Sequence, residues 1–172
     1  MFRPGDEVYY AGSLIRPGTN AEFHLVDERI VGRKPKTLDF LQAAALPLTS
    51  LTAWELLFER LGVKPGKPAS AGSLLVIGGA GGVGSVLIQL ARKLTGLTVI
   101  ATASRVETQK WCRNLGAHFV IDHTKPFAPQ LKENGLPEAE YPAHLPGNEV
   151  HYTGFIEVLP TQGHVAVIDD LK

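Results

Sequence analysis

Cysteine is almost absent from this sequence, with Cys112 as its single example in 172 residues. One thiol forms no internal disulfide and cannot supply a four-cysteine zinc site, which indicates a protein of the reducing cytoplasm. Long apolar runs are also absent: none approaches the roughly 18 residues that cross a membrane, and residues 1–6 lack the apolar segment of a signal peptide. The sequence therefore predicts a cytoplasmic protein with no membrane partner.

The sequence has no net charge either, since 17 basic side chains balance 17 acidic ones. That balance gives no electrostatic reason to expect nucleic acid or an anionic membrane as the main partner. Apolar residues are plentiful, at 44% of the chain, which is enough to bury a core in one domain, or in one domain and part of another. We therefore expect a globular protein whose partner is a small molecule.

From residue 73 onwards, short apolar runs alternate with segments of helical periodicity. Strands that are apolar on both faces and separated by helices predict an α/β fold with a doubly wound parallel sheet. Residues 141–147 occupy the place of a central strand but contain Pro142 and Pro146. Because proline donates no hydrogen bond to a sheet, we expect this strand to be short or displaced, if it forms at all. The predicted strands are 73–77, 98–103, 118–121 and 164–168, and the predicted helices are 82–94, 106–115, 126–134 and 150–159.

The first 35 residues have a different character. They predict short extended pieces at 7–11 and 21–31, too little for a core, and we place a domain boundary after residue 35. Thr37 is the predicted cap of a helix that begins at Leu38. A second helix with one buried face is predicted at 49–61, and its apolar residues at helical spacing are Leu51, Trp54, Leu57, Phe58 and Leu61.

A glycine-rich turn, Gly79-Ala80-Gly81-Gly82-Val83-Gly84, joins the first predicted strand to the helix that follows. It matches the G-x-G-x-x-G pattern of dinucleotide-binding proteins, in which the glycines allow a tight turn, close approach of a pyrophosphate and packing of helix on strand. Ser85-Val86 follows the last glycine where a nucleotide triphosphatase loop needs Lys-Ser or Lys-Thr, which excludes that class. The alternative is a turn that needs its glycines only to connect strand and helix.

The end of the second predicted strand favours one cofactor over another. An NAD site uses an acidic residue about 20 residues after the glycines to bind the ribose 2′-hydroxyl, and a methyltransferase also prefers an acid there. Residues 99–106 contain none, while Ser104 and Arg105 offer a hydroxyl and a guanidinium that suit a 2′-phosphate. The pattern therefore predicts NADPH rather than NADH, unless Arg105 is only a solvated residue at a helix start.

Several stretches together resemble the medium-chain dehydrogenase/reductases, in the branch of quinone oxidoreductases and zinc-type alcohol dehydrogenase-like proteins. They include AAALPLTSLTAWELLFERLGV at 43–63 and VIATASRVETQKWCRNLGAHFVIDH at 99–123, with further stretches at 4–8, 18–23, 79–84 and 159–170. The resemblance implies a Rossmann-type cofactor domain at 36–172 that lacks its last strand, preceded at 1–35 by the end of a GroES-like β-rich substrate domain. It also implies that the chain is a fragment of a longer enzyme whose full-length form is a homodimer.

The same resemblance implies roles for individual residues. The six residues of the glycine turn would hold the pyrophosphate, and Ser104 and Arg105 would lie near the 2′-phosphate. Thr52 would lie near the nicotinamide, with an ordinary helix residue as the alternative. His123 takes the place of a tyrosine near the adenosine phosphate in related reductases, with a surface imidazole as the alternative.

No metal site is predicted, because Cys112 stands alone and the six histidines are scattered. No tyrosine has a lysine four residues later, which excludes the short-chain reductase mechanism and leaves no assignable catalytic residue. The family resemblance therefore implies zinc-independent hydride transfer from NADPH to a quinone or an α,β-unsaturated carbonyl. The alternative is an NADP(H)-binding or interaction module without turnover.

Overall fold

In the computed structural model, which describes residues 2–66, 72–136 and 138–168, the chain divides into two compact units, Met1–Leu51 and Thr52–Lys172. None of the helices in the described residues is long and apolar enough to cross a membrane. The assignment of residues 1–35 to a substrate domain and of residues 36–172 to a cofactor domain stays a prediction. Residues 169 and 170, which end the last stretch of family resemblance, lie outside the described residues.

The first unit contains only short secondary structure. Strand β1 (Val8–Tyr9) pairs antiparallel with β2 (Gly32–Arg33). The extended segment predicted at 21–31 is wrong at Glu28–Ile30, which is a 3-10 turn, although Asp27 and Val31 on either side of the turn are extended; no strand forms in this segment. The Asp27 side chain caps this turn by accepting a hydrogen bond at 2.9 Å from a backbone N–H two residues later, which favours a turn over an extended chain.

The first helix, α1 (Phe40–Ala44), is capped by Asp39. The Asp39 carboxylate accepts a hydrogen bond from the Gln42 N–H at 2.7 Å, and the Gln42 side chain accepts one from the Asp39 N–H at 3.2 Å. This reciprocal pair satisfies two backbone groups at the helix start, which Thr37 is too far back to do. The prediction of Thr37 as the cap is therefore wrong by two residues.

The helix predicted at 49–61 is confirmed, but its buried face differs from the prediction. It comprises α2 (Pro47–Trp54) and a π-helical turn (Glu55–Arg60), in which the Leu61 N–H donates to the Leu56 carbonyl at 2.9 Å. The wider turn rotates the apolar face relative to that of a regular helix. The buried residues are Ala53, Leu56, Leu57 and Leu61, whereas Leu51 and Trp54 are 61% and 47% exposed.

The second unit contains a five-stranded parallel sheet with a helix after each of its first four strands. The strands are β3 (Ser73–Ile77), β4 (Thr98–Thr102), β5 (Phe119–Ile121), β6 (Tyr141–His144) and β7 (Ala166–Val167), in the spatial order β5-β4-β3-β6-β7. The helices are α3 (Gly82–Leu94), α4 (Val106–Asn114), α5 (Phe127–Glu133) and α6 (Tyr152–Glu157). The first of these strands in chain order, β3, lies in the middle of the sheet; β4 and β5 follow on one side of it, and β6 and β7 on the other. This order confirms the predicted Rossmann-type, doubly wound fold.

Both faces of this sheet are buried, because the side chains of a strand alternate between them. Leu74 of β3 belongs to one core cluster together with Leu87 of α3. Its neighbour Leu75 belongs to a second cluster, with Phe127 of α5 and Phe155 of α6. All five side chains are at most 4% exposed. Helix α3 therefore covers one face of the sheet, and α5 and α6 cover the other.

Strand β6 forms in the middle of the sheet despite its proline. It is short, as predicted, but it is not displaced, since it pairs with both β3 and β7. The Leu145 N–H donates to the Ile77 carbonyl of β3, so alternate N–H groups along β6 point to β3 and those between them point to β7. Pro142 falls on the β7 side, where pairing begins only at Ala143. The N–H group that Pro142 lacks would therefore fall outside the hydrogen-bonded pairing of β6 with β7.

Candidate functional site

A groove of about 390 Å³ runs along the carboxyl edge of the sheet. It lies at the carboxyl ends of the neighbouring strands β3 and β6, after which the chain continues to β4 on one side of the sheet and to β7 on the other. This switch in strand order is the position at which doubly wound proteins bind their ligands. Two of the ten predicted binding residues, Thr52 and Gly79, do not line it. The other eight do: Ala80, Gly81, Gly82, Val83, Gly84, Ser104, Arg105 and His123.

The glycine turn after β3 packs tightly on its own framework. Gly78, the residue before the motif, adopts a φ of +87°, a left-handed conformation that favours glycine. Its N–H donates to the Thr102 hydroxyl of β4 at 3.1 Å, which ties the turn to the neighbouring strand. A Cβ on Gly79 would lie 2.8 Å from the Cβ of Ala101, and one on Gly84 would lie 2.6 Å from the Gly78 carbonyl oxygen. Gly79 and Gly84 are therefore required for packing.

Gly81 differs because neither the backbone nor the packing requires a glycine there. It is the N-cap of α3 with φ −72° and ψ 174°, and a Cβ would meet only the Gly78 carbonyl oxygen, at 3.4 Å. No side chain caps the helix, and the first helical hydrogen bond runs from the Ser85 N–H to the Gly81 carbonyl. The N–H groups of the residues between them, which line the groove, have no helical acceptor. An open helix start of this kind binds anionic groups.

Positive charge lies at the β4 end of the groove. Arg105 is exposed at the N-cap of α4 and forms no salt bridge with any described residue. The Thr108 hydroxyl donates to its carbonyl at 2.8 Å and so helps to hold the start of this helix. Ser104 lies half-buried beside it, and none of the described residues that line the groove is acidic. With no carboxylate to repel it, an additional phosphate is favoured at this end.

The two remaining predicted residues, His123 and Thr52, differ in their position relative to the groove. His123 is half-buried and lines the groove, and its ring meets that of His151 edge to face with centroids 5.5 Å apart, so it is not a free surface imidazole. Thr52 lies partly buried on α2, outside the lining of the groove. The roles of both residues in cofactor binding stay predictions.

The groove also contains residues that the sequence prediction missed. They are Gly78, Thr102, Ala103, Thr108, Leu145, Pro146 and Ile168. All except Thr108 end a strand of the sheet or follow one within two residues. The signal that could have identified them is the rule that ligands bind at the carboxyl ends of parallel strands.

Metal-binding side chains are not grouped in the part of the chain that the structure describes. Within residues 2–66, 72–136 and 138–168, no three His, Cys, Asp or Glu side chains are placed to share a metal ion. Cys112 is buried, and this burial raises the pKa of its thiol, which disfavours the thiolate that a metal needs. The expectation of a zinc-free protein stays a prediction.

Comparison with known proteins finds relatives over nearly the whole chain, although no protein-family model matches. A zinc-type alcohol dehydrogenase-like protein of Staphylococcus aureus is 41% identical over 169 residues, which are 98% of this chain and 50% of the relative. The crystal structure of a protein described as a zinc-dependent alcohol dehydrogenase from Rhizobium etli is 58% identical, with a TM-score of 0.91, over 99% of this chain and 50% of that one. The resemblance to the medium-chain dehydrogenase/reductases is confirmed.

Relatives among the medium-chain dehydrogenase/reductases differ in the cofactor that their names specify. The chloroplastic NADPH-dependent alkenal/one oxidoreductase of Arabidopsis thaliana is 43% identical over 129 residues, 72% of this chain and 32% of that protein. The structure of an NAD-dependent alcohol dehydrogenase is 33% identical, with a TM-score of 0.76, over 88% of this chain and 43% of that one. Nearly all of this chain matches the staphylococcal relative, but the chain spans only about half of that protein's length.

Proposed function

We propose that this protein is an NADPH-dependent oxidoreductase that transfers a hydride to a quinone or an α,β-unsaturated carbonyl without zinc. The observation that carries the proposal is the open helix start at Gly81. Neither φ nor packing requires glycine at this position, and a glycine there leaves the N–H groups of the first turn uncapped and open to the close approach of a ligand. The N–H groups of the first turn of α3 would donate to the cofactor pyrophosphate.

The residues of the groove suit NADPH better than NADH. Ser104 and Arg105 follow β4, the position from which Rossmann-type folds bind the 2′ position of the ribose. Within residues 2–66, 72–136 and 138–168, no acidic side chain lines the groove. The name of the Arabidopsis relative supports the same choice. A bound nicotinamide supplies the hydride, while the residues of this chain hold and orient the cofactor.

Conjugated acceptors suit a reductase in which the described residues group no three metal-binding side chains for polarising a carbonyl. A hydride added to a quinone or an enone leaves a negative charge that conjugation delocalises, so less external stabilisation is needed. The name alkenal/one oxidoreductase supports this substrate class. The name zinc-type supports a rival, metal-dependent reaction on alcohols. Stoichiometric zinc in the purified protein would contradict the zinc-free reaction.

Arg105→Gln tests the cofactor choice. We expect this substitution to weaken NADPH binding about tenfold, the size of one charge-assisted hydrogen bond, and to leave NADH binding unchanged. Arg113→Gln, in the last turn of the same helix, is the matched control and should change neither affinity. Isothermal titration calorimetry measures both. An equal loss for the two cofactors would contradict the assignment of Arg105 to the 2′-phosphate.

NADPH oxidation in the presence of a quinone or an enone tests the reaction. Oxidation supports the oxidoreductase, whereas tight NADPH binding without oxidation supports the alternative of a non-catalytic NADP(H)-binding or interaction module. The single cysteine supports a cytoplasmic location, and the family resemblance supports a homodimer of the full-length form. Sedimentation of the full-length form tests the homodimer.

A further inference from the structure

A second pocket, of about 490 Å³, lies beside the groove and shares His123 with it. We name it the histidine pocket; it is bordered by His123 and Lys125 after β5, by Phe127 at the start of α5, and by Asn148, Val150 and His151 between β6 and α6. In the part of the chain that the structure describes, no acidic residue lines this pocket. It contains neither the glycine turn nor the end of β4, so the proposed cofactor site does not explain it.

Basic groups dominate the polar part of the histidine pocket. The rings of His123 and His151 meet edge to face with centroids 5.5 Å apart. Among the described residues, the Lys125 ammonium pairs with Asp122 at 3.8 Å, a long distance for an ion pair. The Asp122 carboxylate also accepts hydrogen bonds from the N–H and the hydroxyl of Thr124, at 2.9 and 2.7 Å. Three basic groups therefore border one cavity, and the Asp122 carboxylate beside Lys125 offsets part of their charge.

Burial disfavours the charged form of the histidines at and beside the pocket. His144 of β6 is fully buried, and neither of its ring nitrogens has a hydrogen-bond partner among the described residues. Its ring centroid lies 6.2 Å from that of His151. Burial, and then the charge of a neighbouring imidazole, lower the pKa of both histidines. An anion in the pocket would offset the charge that this environment disfavours.

We propose that the histidine pocket binds the phosphate group of a small molecule between His123, Lys125 and His151. A phosphate ester carries close to two negative charges and several acceptor oxygens, which match one ammonium and two imidazole groups. The apolar side chains of Phe127 and Val150 suit a ring or chain attached to that phosphate. The proposal assigns His123, the residue that the pocket shares with the groove, to this phosphate and not to the adenosine phosphate of the cofactor, so a phosphate compound and the proposed cofactor bind together.

Lys125→Gln tests the proposal, because Lys125 lines the histidine pocket and not the groove. Inorganic phosphate and phenyl phosphate are titrated separately at constant ionic strength, and the NMR signals of the histidine rings are followed. We expect the signals of His123 and His151 to shift, and Lys125→Gln to weaken binding about tenfold. Lys132→Gln, an exposed residue of α5 outside the pocket, is the control and should leave binding unchanged.

The two probes distinguish the sources of the phosphate. Tighter binding of phenyl phosphate identifies a phosphate ester as the ligand, and equal binding identifies free phosphate. The absence of ring shifts, or an equal loss in Lys132→Gln, overturns the proposal. His151→Gln, with His164→Gln as its matched control, repeats the test on a second wall of the pocket, and far-UV circular dichroism verifies that each variant is folded.

A repeat of the titration with saturating NADPH separates the two sites. Phosphate binding that persists supports a separate pocket, whereas phosphate that NADPH displaces occupies the groove and overturns the proposal. If NADPH itself fails to bind, the proposed function is wrong, and the titration without NADPH still decides the histidine pocket.

Discussion

The two compact units bury very different amounts of apolar surface. In the second unit all five residues of β3 are buried, and helices cover both faces of the sheet. In the described part of the first unit, Ala43 is the only buried apolar residue, and Leu14, Ile15 and Phe23 are more than nine-tenths exposed. Because apolar burial is the main driving force of folding, the second unit carries most of the stability and also carries the groove.

Truncation of a core side chain should produce the largest difference between the units. Leu75→Ala removes a fully buried side chain from the middle of β3, and we expect the free energy of unfolding to fall by about 2–5 kcal/mol. Leu14→Ala makes the same change at a fully exposed position and should alter it by less than about 0.5 kcal/mol. Urea unfolding followed by circular dichroism measures both. Similar losses for the two variants would show that the first unit shares the stability.

The same difference in burial explains how far the fold could be predicted. Strand β3 and helix α3 agree residue for residue with the predictions at 73–77 and 82–94, because buried faces impose apolar periodicity and the glycine turn marks the boundary. In the first unit no buried face constrains residues 21–31, and the local cap at Asp27 decides the conformation. The π-helical turn has no apolar signature in the sequence, so the exposure of Trp54, the residue before it, could not be predicted.

The residues of the candidate site also differ in how far the sequence predicts them. The glycine turn and Arg105 are local sequence signals, and both line the groove. Pro146 lies far from them in sequence and joins them only because β6 pairs with β3. His123 and His151 likewise meet because the loop after β5 and the start of α6 lie together. Contacts of this kind can be predicted only when the order of the strands in the sheet is known, and the sequence alone left that order open.

Two glycines of the turn should respond differently to substitution. Gly84→Ala would place a Cβ 2.6 Å from the Gly78 carbonyl oxygen, and we expect a loss of about 1–3 kcal/mol of unfolding free energy. Gly81→Ser should leave stability within about 0.5 kcal/mol, because serine caps a helix well. Its hydroxyl would take an N–H that the phosphates need, so NADPH binding should weaken about tenfold. Urea unfolding and calorimetric titration measure the two effects; the opposite pattern would refute the different roles of these glycines.

Acid should destabilise the second unit before the first. Burial is the main cause that lowers the pKa of His118, His144 and His151 below the ordinary 6.5, so the unfolded state takes up protons that the folded state refuses. Stability therefore falls as the pH drops below about 6.5 and is level above it. In the first unit, hydrogen bonds to arginines lower the pKa of Asp6 and Asp27, and that contribution is lost only below 3.8.

His144→Leu isolates one part of this acid sensitivity. Near pH 8 we expect the free energy of unfolding to change by less than about 1 kcal/mol, because neither ring nitrogen has a described partner to lose. Between about pH 8 and pH 5.5 the variant should lose less stability than the unmodified protein, since one buried histidine no longer titrates. Urea unfolding at the two pH values measures the difference. An unchanged loss between them would assign the acid sensitivity to other groups.

Amide NMR spectra of the chain, titrated with NADPH and separately with NADH, locate the cofactor and identify its preferred form in one experiment. Binding in the groove predicts that both cofactors shift the signals of residues 81–84 at the start of α3, and that NADPH shifts those of Ser104 and Arg105 more strongly than NADH does. Shifts confined to other elements, or identical shifts of Ser104 and Arg105 with the two cofactors, would contradict an NADPH site at the glycine turn.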